Sequence, residues 1–204
     1  MLKHKILFII IGIIFTVSAA YITVLMVDNS KVEEVSPEED KLIINGEEIT
    51  FKYYRVDQLF FLSVPQSFKI WDEVTLLGTY PNNDRPELVF ESQDGTTQIQ
   101  ITTTEQDMTD DLLTTFVETT RESLQSLVET VETNFYTKYD KNFGQIKYTE
   151  INDSGNYHDI RYFTLNNKLV KVEFITIKQE QVDWEEASNI ILESICFDSQ
   201  YLEN

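Results

Sequence analysis

The pattern of apolar and polar residues divides the chain into three parts. A charge-free run of 22 residues begins at Ile6 and ends at Val27, directly before Asp28. At about 1.5 Å per residue, a helix of this length covers the roughly 30 Å hydrocarbon core of a bilayer. Residues 28–41 are polar and acidic, which is typical of a tether. Apolar residues recur regularly over residues 42–204, a length that allows one globular domain with its own core.

The apolar run indicates an uncleaved signal anchor, with a cleaved signal peptide as the alternative. Small residues up to Ala20 form an acceptable cleavage site, but apolar residues continue beyond it to Val27. Lys3 and Lys5 precede the run, whereas acids dominate the residues that follow it. The positive-inside rule therefore places the N-terminus in the cytoplasm and the C-terminal domain outside the membrane.

Turn residues between alternating runs predict three β-hairpins in the C-terminal domain. The turn sequences are Asn45-Gly46, Gln93-Asp94-Gly95 and Asn166-Asn167-Lys168. A further strand is predicted over residues 59–64, ended by Pro65, because proline cannot donate to a sheet ladder.

Two segments change to the three- and four-residue period of an amphipathic helix. Residues 109–134 predict a long helix with Thr109 as its N-cap. A final helix is predicted to open at Asp183, with Glu186 completing a capping box. The order of strands and helices predicts an α+β domain, a mainly antiparallel sheet flanked by helices.

Two short sequences in the domain resemble PsbP-like domains. One is Phe60-Phe-Leu-Ser-Val-Pro-Gln-Ser-Phe, an apolar strand that ends in proline before an aromatic residue, and the other is Ser194-Ile195-Cys196-Phe197. The order of elements between them, over residues 59–197, is similar as well. The resemblance implies an α/β/α sandwich and a relationship to bacterial envelope proteins of the DcrB type. It implies a binding or assembly role, without a catalytic motif to carry over.

Charge excludes one class of partner and suggests another. The chain has 35 acidic and 16 basic residues, a formal net charge of −19, and every acid lies after Val27. Such a charge opposes nucleic-acid binding through phosphate contacts. We expect the acidic surface to keep the domain in solution and away from anionic lipid. We also expect a protein partner in the cell envelope, and a basic partner is the sharper alternative role for the acidic surface.

Groups able to perform catalysis are few. His158 is the only histidine after the apolar run, and we expect an exposed or hydrogen-bonded residue at the start of a strand rather than a catalytic base. Cys196, between Ile195 and Phe197, is expected to be a small core residue. The sequence therefore assigns no catalytic residue, no metal ligand and no cofactor, and it leaves the ligand-binding residues unknown.

Two short stretches rich in oxygen ligands are candidates for calcium. They are Asp107, Asp110 and Asp111, and Asn152, Asp153 and Asn156. Neither matches the spacing of a calcium loop, so we expect a helix start and a turn.

These observations predict a membrane-anchored, extracytoplasmic and non-enzymatic binding or assembly module. One alternative is an envelope hydrolase that uses paired carboxylates, although with 35 acids the proximity of two carries little information. The other alternative is a sensor of a small ligand or cation.

Overall fold

The computed structural model describes residues 32–35, 41–44, 47–57, 59–82, 85–152 and 154–197. The predicted membrane span from Ile6 to Val27 lies outside these residues. Across the described residues, no helix is long and apolar enough to cross a bilayer.

Strands dominate the described chain, with three α-helices between and after them. The elements are β1 (Val32–Val35), β2 (Lys41–Ile44), β3 (Glu47–Val56), β4 (Phe60–Pro65), β5 (Lys69–Ile70), α1 (Glu73–Thr79), β6 (Leu88–Glu91), β7 (Thr97–Asp107), α2 (Asp110–Leu124), β8 (Val128–Lys138), β9 (Lys141–Glu150), β10 (Asn156–Leu165), β11 (Lys168–Ile177), a 3₁₀ helix (Lys178–Glu180) and α3 (Gln181–Glu193).

The strands form a large and a small antiparallel sheet. The large sheet has seven strands in the order β5-β6-β7-β11-β10-β9-β8. In the small sheet, β3 pairs with β1, β2 and β4. The predicted α+β class, a mainly antiparallel sheet with flanking helices, is confirmed.

The strands of all three predicted hairpins pair as expected. β2 and β3 pair across Asn45-Gly46, although these two turn residues lie outside the described part. Gly95 has a φ of +76° in the turn between β6 and β7. Asn166 and Asn167 have φ values of 52° and 59° between β10 and β11, the left-handed pair that a tight hairpin requires.

The single long helix predicted over residues 109–134 is wrong in its second half. α2 ends at Leu124, and the chain then forms β8, which pairs along its length with β9. Threonine and valine, which are stiff at χ1 and favour strands, are frequent in this half. Leu127, whose spacing fits the helical period, is 65% exposed.

Of the two predicted helix starts, the N-cap position of α2 is confirmed and the capping box of α3 is wrong. Thr109 occupies the N-cap position of α2 without making a side-chain capping bond, and Thr164 donates a hydrogen bond to Asp110 in the first turn. The capping box predicted from Asp183 is wrong because α3 begins earlier, at Gln181, directly after the 3₁₀ helix.

Two elements form where the sequence predicted no regular structure. β1 lies within the predicted tether, residues 28–41, and pairs with the second half of β3. α1 follows β5 and has no buried residue, so no apolar stripe revealed it. Asp72 caps α1, because its carboxylate accepts a hydrogen bond from the backbone N–H of Thr75 at 2.7 Å.

The two faces of the large sheet pack against different layers. One face meets α3 and the small sheet around a core rich in phenylalanine, which includes Phe60, Phe90, Phe143, Phe163 and Phe174. The opposite face meets α2 through a second cluster that includes Leu113, Val117, Ile146, Ile160 and Tyr162. β10 lies between these layers and is buried from Tyr157 to Thr164.

Residues 195–197 close the core at the edge of β4. Cys196 forms a β-bridge with Phe61, in which the N–H of Phe61 donates to the carbonyl of Cys196 at 2.8 Å. Cys196 is 8% exposed, as expected for a core residue.

The packing of α2 on β9 predicts the effect of one added methyl group. A Cβ at Gly144 would lie 2.5 Å from Cγ2 of Val117, a stiff side chain on α2. We expect Gly144→Ala to lower the free energy of unfolding by about 1–3 kcal/mol in urea denaturation. Gly78→Ala, which meets nothing within 4 Å, is the matched control and should be neutral or stabilising.

A second change tests the cause of the Gly144→Ala effect. Adding Val117→Ala removes the contacting methyl groups, so the double variant should lose less stability than the two single losses added together. Additive losses would contradict the proposed steric contact.

Candidate functional site

The interior strand β10 places ionisable side chains on both faces of the large sheet. Because successive side chains alternate, His158 faces the α2 layer, whereas Asp159 and Arg161 face the α3 layer. His158, Asp159 and Arg161 are 7%, 0% and 1% exposed, so each needs a partner inside the fold.

His158 is the centre of a group that we call the histidine cluster: Tyr148, Glu150, His158, Lys171 and Glu173. Its Nδ1 lies 2.8 Å from Oε1 of Glu173, and its Nε2 lies 3.5 Å from Oε1 of Glu150. The ring stacks on Tyr148 with centroids 4.3 Å apart. Nζ of Lys171 donates to the second oxygen of Glu173 at 2.7 Å. The cluster thereby joins β9, β10 and β11 through side chains.

The cluster holds Glu173 as a carboxylate. Burial favours the neutral acid, but the hydrogen bond from His158 and the charge of Lys171 outweigh burial and lower the pKa of Glu173 from 4.5 to about 2. Burial and the two nearby carboxylates raise the pKa of Tyr148 above its ordinary value. At neutral pH the cluster therefore holds an ionised acid and a neutral phenol, and Glu173 has no proton to donate as a general acid.

A polar row continues from the histidine cluster across β7 and β6. Nε2 of Gln100 donates to the hydroxyl of Tyr80 at 2.8 Å and to Oε1 of Gln98 at 2.9 Å. Gln98 and the Trp71 indole both donate to the carboxylate of Glu91, at 2.9 and 3.0 Å. These bonds attach the residues that flank α1 to the sheet.

The opposite face of β10 contains a buried ion pair, Asp159 with Arg161. Gln145 donates to Asp159 at 3.0 Å, and the guanidinium donates through Nε to the hydroxyl of Tyr136 at 3.0 Å. Arg161 also lies 3.4 Å from Glu193, in the last turn of α3. The pair therefore links the sheet to the end of α3.

An open groove lies between the β2–β3 hairpin, the β6–β7 turn and α3. Its volume is about 590 Å³, within the range of ligand sites. We call it the Trp184 groove, and its lining is Glu48, Ile49, Thr50, Gln66, Ser67, Phe68, Ser92, Gln93, Asp94 and Trp184.

The Trp184 groove combines an aromatic part with an acidic, hydrogen-bonding rim. The rings of Phe68 and Trp184 are in edge contact, with centroids 5.7 Å apart. Oδ1 of Asp94 accepts hydrogen bonds from the hydroxyl of Ser92 at 2.6 Å and from the N–H and hydroxyl of Thr96 at 3.2 and 3.0 Å. The bond from Ser92 is the main cause that lowers the pKa of Asp94, so this rim acid is negatively charged at neutral pH.

The candidate calcium stretches do not converge in the described part of the chain. Asp107 lies 3.5 Å from Lys168, and Asp110 accepts a hydrogen bond from Thr164. Asn152 accepts a turn bond from Gly155 through its carbonyl at 3.0 Å, and Asp153 lies outside the described residues. Within those residues, no group of three or more His, Cys, Asp or Glu side chains could hold a metal ion.

The sequence predicted that His158 is an exposed or hydrogen-bonded residue at a strand start, and in the structure it is hydrogen-bonded and lies near the start of β10. The sequence did not predict the two carboxylates beside His158. Glu150 and Glu173 come from two other strands, and only the register brings them to His158. The Trp184 groove was also missed, because its lining comes from separate segments of the chain.

Comparisons with known proteins return distant structural likenesses. No family model and no curated protein sequence matches the chain. The structure is similar to cyanobacterial PsbP (CyanoP) from Synechocystis sp. PCC 6803, with a TM-score of 0.48 and 9% identity, over 82% of this chain and 93% of that chain. It is also similar to PA94, a protein of unknown function from Pseudomonas aeruginosa, with a TM-score of 0.36 and 8% identity, over 75% of this chain and 92% of that chain. Neither likeness indicates what this chain does.

The low pKa of Glu173 predicts a pH-dependent stability. Its folded-state pKa is depressed, so its contribution is present above pH 4.5 and is lost as the pH falls towards 2. We expect Glu173→Gln to destabilise the protein by about 3 kcal/mol at pH 7, measured by urea denaturation. The difference from the unsubstituted protein should shrink between pH 5 and pH 2.

Glu132→Gln on the exposed side of β8 is the control for this series. It removes one carboxylate from the surface and should change stability little at any of these pH values. A loss of stability in Glu173→Gln that stays constant down to pH 2 would contradict the lowered pKa of Glu173 in the folded protein.

Proposed function

We propose that the chain is a membrane-anchored, extracytoplasmic binding or assembly module of the cell envelope, with the Trp184 groove as its contact site. The apolar run from Ile6 to Val27 would anchor it, and residues 42–204 would carry the binding function. In this proposal the domain is a PsbP-like member of the DcrB-type envelope proteins.

The observation that carries the binding role is the Trp184 groove. It offers aromatic surface, amide and hydroxyl groups and an ionised carboxylate to solvent within one concave site. Such a mixture of apolar surface and a few polar groups is typical of a site that binds and orients a ligand.

The charge distribution supports a basic partner for this groove. Many lysines and arginines of the described residues already pair with the chain's own acids: Lys41 with Glu48, Lys52 with Glu34, Arg121 with Glu118, Lys147 and Arg161 with Asp159, Lys168 with Asp107, Lys171 with Glu173, and Lys178 with Glu129. Because 35 acids face 16 bases in the whole chain, negative charge remains for an external partner.

The hydrolase alternative gains no specific support. A hydrolase that uses paired carboxylates needs one acid with a raised pKa. The most enclosed acid of the histidine cluster, Glu173, has a lowered pKa instead. We therefore retain the binding module as the leading proposal.

Protease accessibility tests the proposed topology. Cells expressing the full-length chain are fractionated, and protease is added to intact cells or spheroplasts. We expect the protein in the membrane fraction, with its C-terminal bulk digested from outside, because Lys3 and Lys5 favour a cytoplasmic N-terminus. Crosslinking on the same cells should then recover an envelope protein.

Two outcomes would contradict this topology. Full-length protein protected from external protease would place the domain in the cytoplasm. A shortened protein released to the medium would indicate cleavage near Ala20 and a secreted factor. A cytoplasmic protein of known topology, probed in the same samples, controls for lysis.

A further inference from the structure

We propose that the Trp184 groove binds a lysine or arginine side chain on an exposed segment of a partner protein. This inference rests on the proposed binding function and specifies the chemistry of the ligand. It follows from the aromatic surface, the acids at the rim and the residue types that line the groove.

The aromatic surface suits a cation. Trp184 is partly exposed, and the core side chains Phe68 and Phe174 hold its ring at centroid distances of 5.7 and 6.0 Å. A ring fixed from the core side presents its remaining surface to the groove at little entropic cost. Lysine and arginine side chains bind such surfaces through both their apolar stems and their charge.

The acids at the rim suit the same cation. Hydrogen bonds from Ser92 and Thr96 all go to Oδ1 of Asp94, so they fix the carboxylate and leave Oδ2 unused by these bonds. Glu48 lines the groove from the β2–β3 hairpin and pairs with Lys41 at 2.7 Å. The side chains of Lys41 and Glu48 are 50% and 59% exposed, and such a surface pair exchanges easily for another cation.

The composition of the lining disfavours an anionic ligand and favours a peptide. The ten residues that line the groove include two acids and no lysine, arginine or histidine. Gln66, Gln93 and Ser67 add amide and hydroxyl groups that can pair with a peptide backbone. A volume of about 590 Å³ leaves room beside a single basic side chain for the neighbouring part of its segment.

Tryptophan fluorescence measures binding at this site directly. The chain has two tryptophans, so Trp71→Phe in the full-length protein in neutral detergent leaves Trp184 as the only reporter. The probe is a blocked tetralysine peptide, with the same peptide acetylated on every ε-amine as the uncharged control. Spermidine is titrated separately, to distinguish a peptide ligand from a free polyamine.

We expect saturable quenching or enhancement with tetralysine and none with its acetylated form. Asp94→Asn, which retains Oδ1 for the turn, should weaken tetralysine binding about tenfold through loss of a charge-assisted bond. Glu48→Gln should weaken it less, and Glu132→Gln on β8 should leave the affinity within about twofold. Circular dichroism of each variant establishes that the fold is retained.

Several results would overturn the proposal. These are the absence of saturable binding, equal binding of the acetylated peptide, and equal effects of Asp94→Asn and Glu132→Gln. Binding of spermidine but not of tetralysine would assign the groove to a free polyamine instead. A cytoplasmic orientation in the protease experiment would contradict the proposed location, whereas loss of peptide binding would contradict this groove assignment alone.

Discussion

The fold depends on how the interior strand β10 pairs the ionisable side chains that it buries. An uncompensated charge inside a protein costs several kcal/mol, so each buried ionisable group must meet a partner of suitable charge. On one face Asp159 pairs with Arg161 and lies 3.5 Å from Lys147, and on the other Glu173 and Glu150 flank His158. These partners come from the neighbouring strands as well as from β10 itself. The buried ionisable side chains therefore constrain the register of the sheet as much as its apolar core does.

The buried pairs distinguish ionisable groups that stabilise the fold from those that are accessible to a binding partner. Glu173 resembles a catalytic carboxylate in its contact with a histidine, yet its bonds to His158 and Lys171 keep it ionised and buried. Arg161 resembles an anion-binding residue, yet it is enclosed between the sheet and α3. The Trp184 groove differs from both, because its polar groups line an open concave surface. Binding at this groove would leave the buried pairs of β10 intact.

Local signals in the sequence were sufficient to predict most strands of the sheet. Asn166 and Asn167 tolerate the left-handed backbone that their hairpin needs, and the strands on either side pair in the expected way. The alternation of side chains in the other hairpins was equally informative. The class of the fold, an antiparallel sheet with flanking helices, followed from these elements and their order.

Features that depend on contacts between distant parts of the chain could not be predicted from such local signals. Over residues 109–134, the apolar residues keep the spacing of a helix throughout, although the second half forms the strand β8. Only the pairing of β8 with β9 shows that this half is a strand and not a continuation of the helix. α1 lacks a buried face, so its residues gave no amphipathic pattern. The neighbours of His158 and the lining of the Trp184 groove depend on strand register and on packing between layers, which one sequence does not specify.

The central claim is that the buried charges of Asp159 and Arg161 stabilise each other, and a double-mutant cycle on these two residues tests it most directly. Asp159→Asn and Arg161→Met alone should each cost about 3 kcal/mol in urea denaturation, because each removes the nearest charge partner of a fully buried group. Lys147, 3.5 Å from Asp159, and Glu193, 3.4 Å from Arg161, remain as the more distant partners. The double variant should cost clearly less than the sum of the two, since neither charge is then left unpaired. Additive costs, or two single variants as stable as the unsubstituted protein, would show that Asp159 and Arg161 do not stabilise each other.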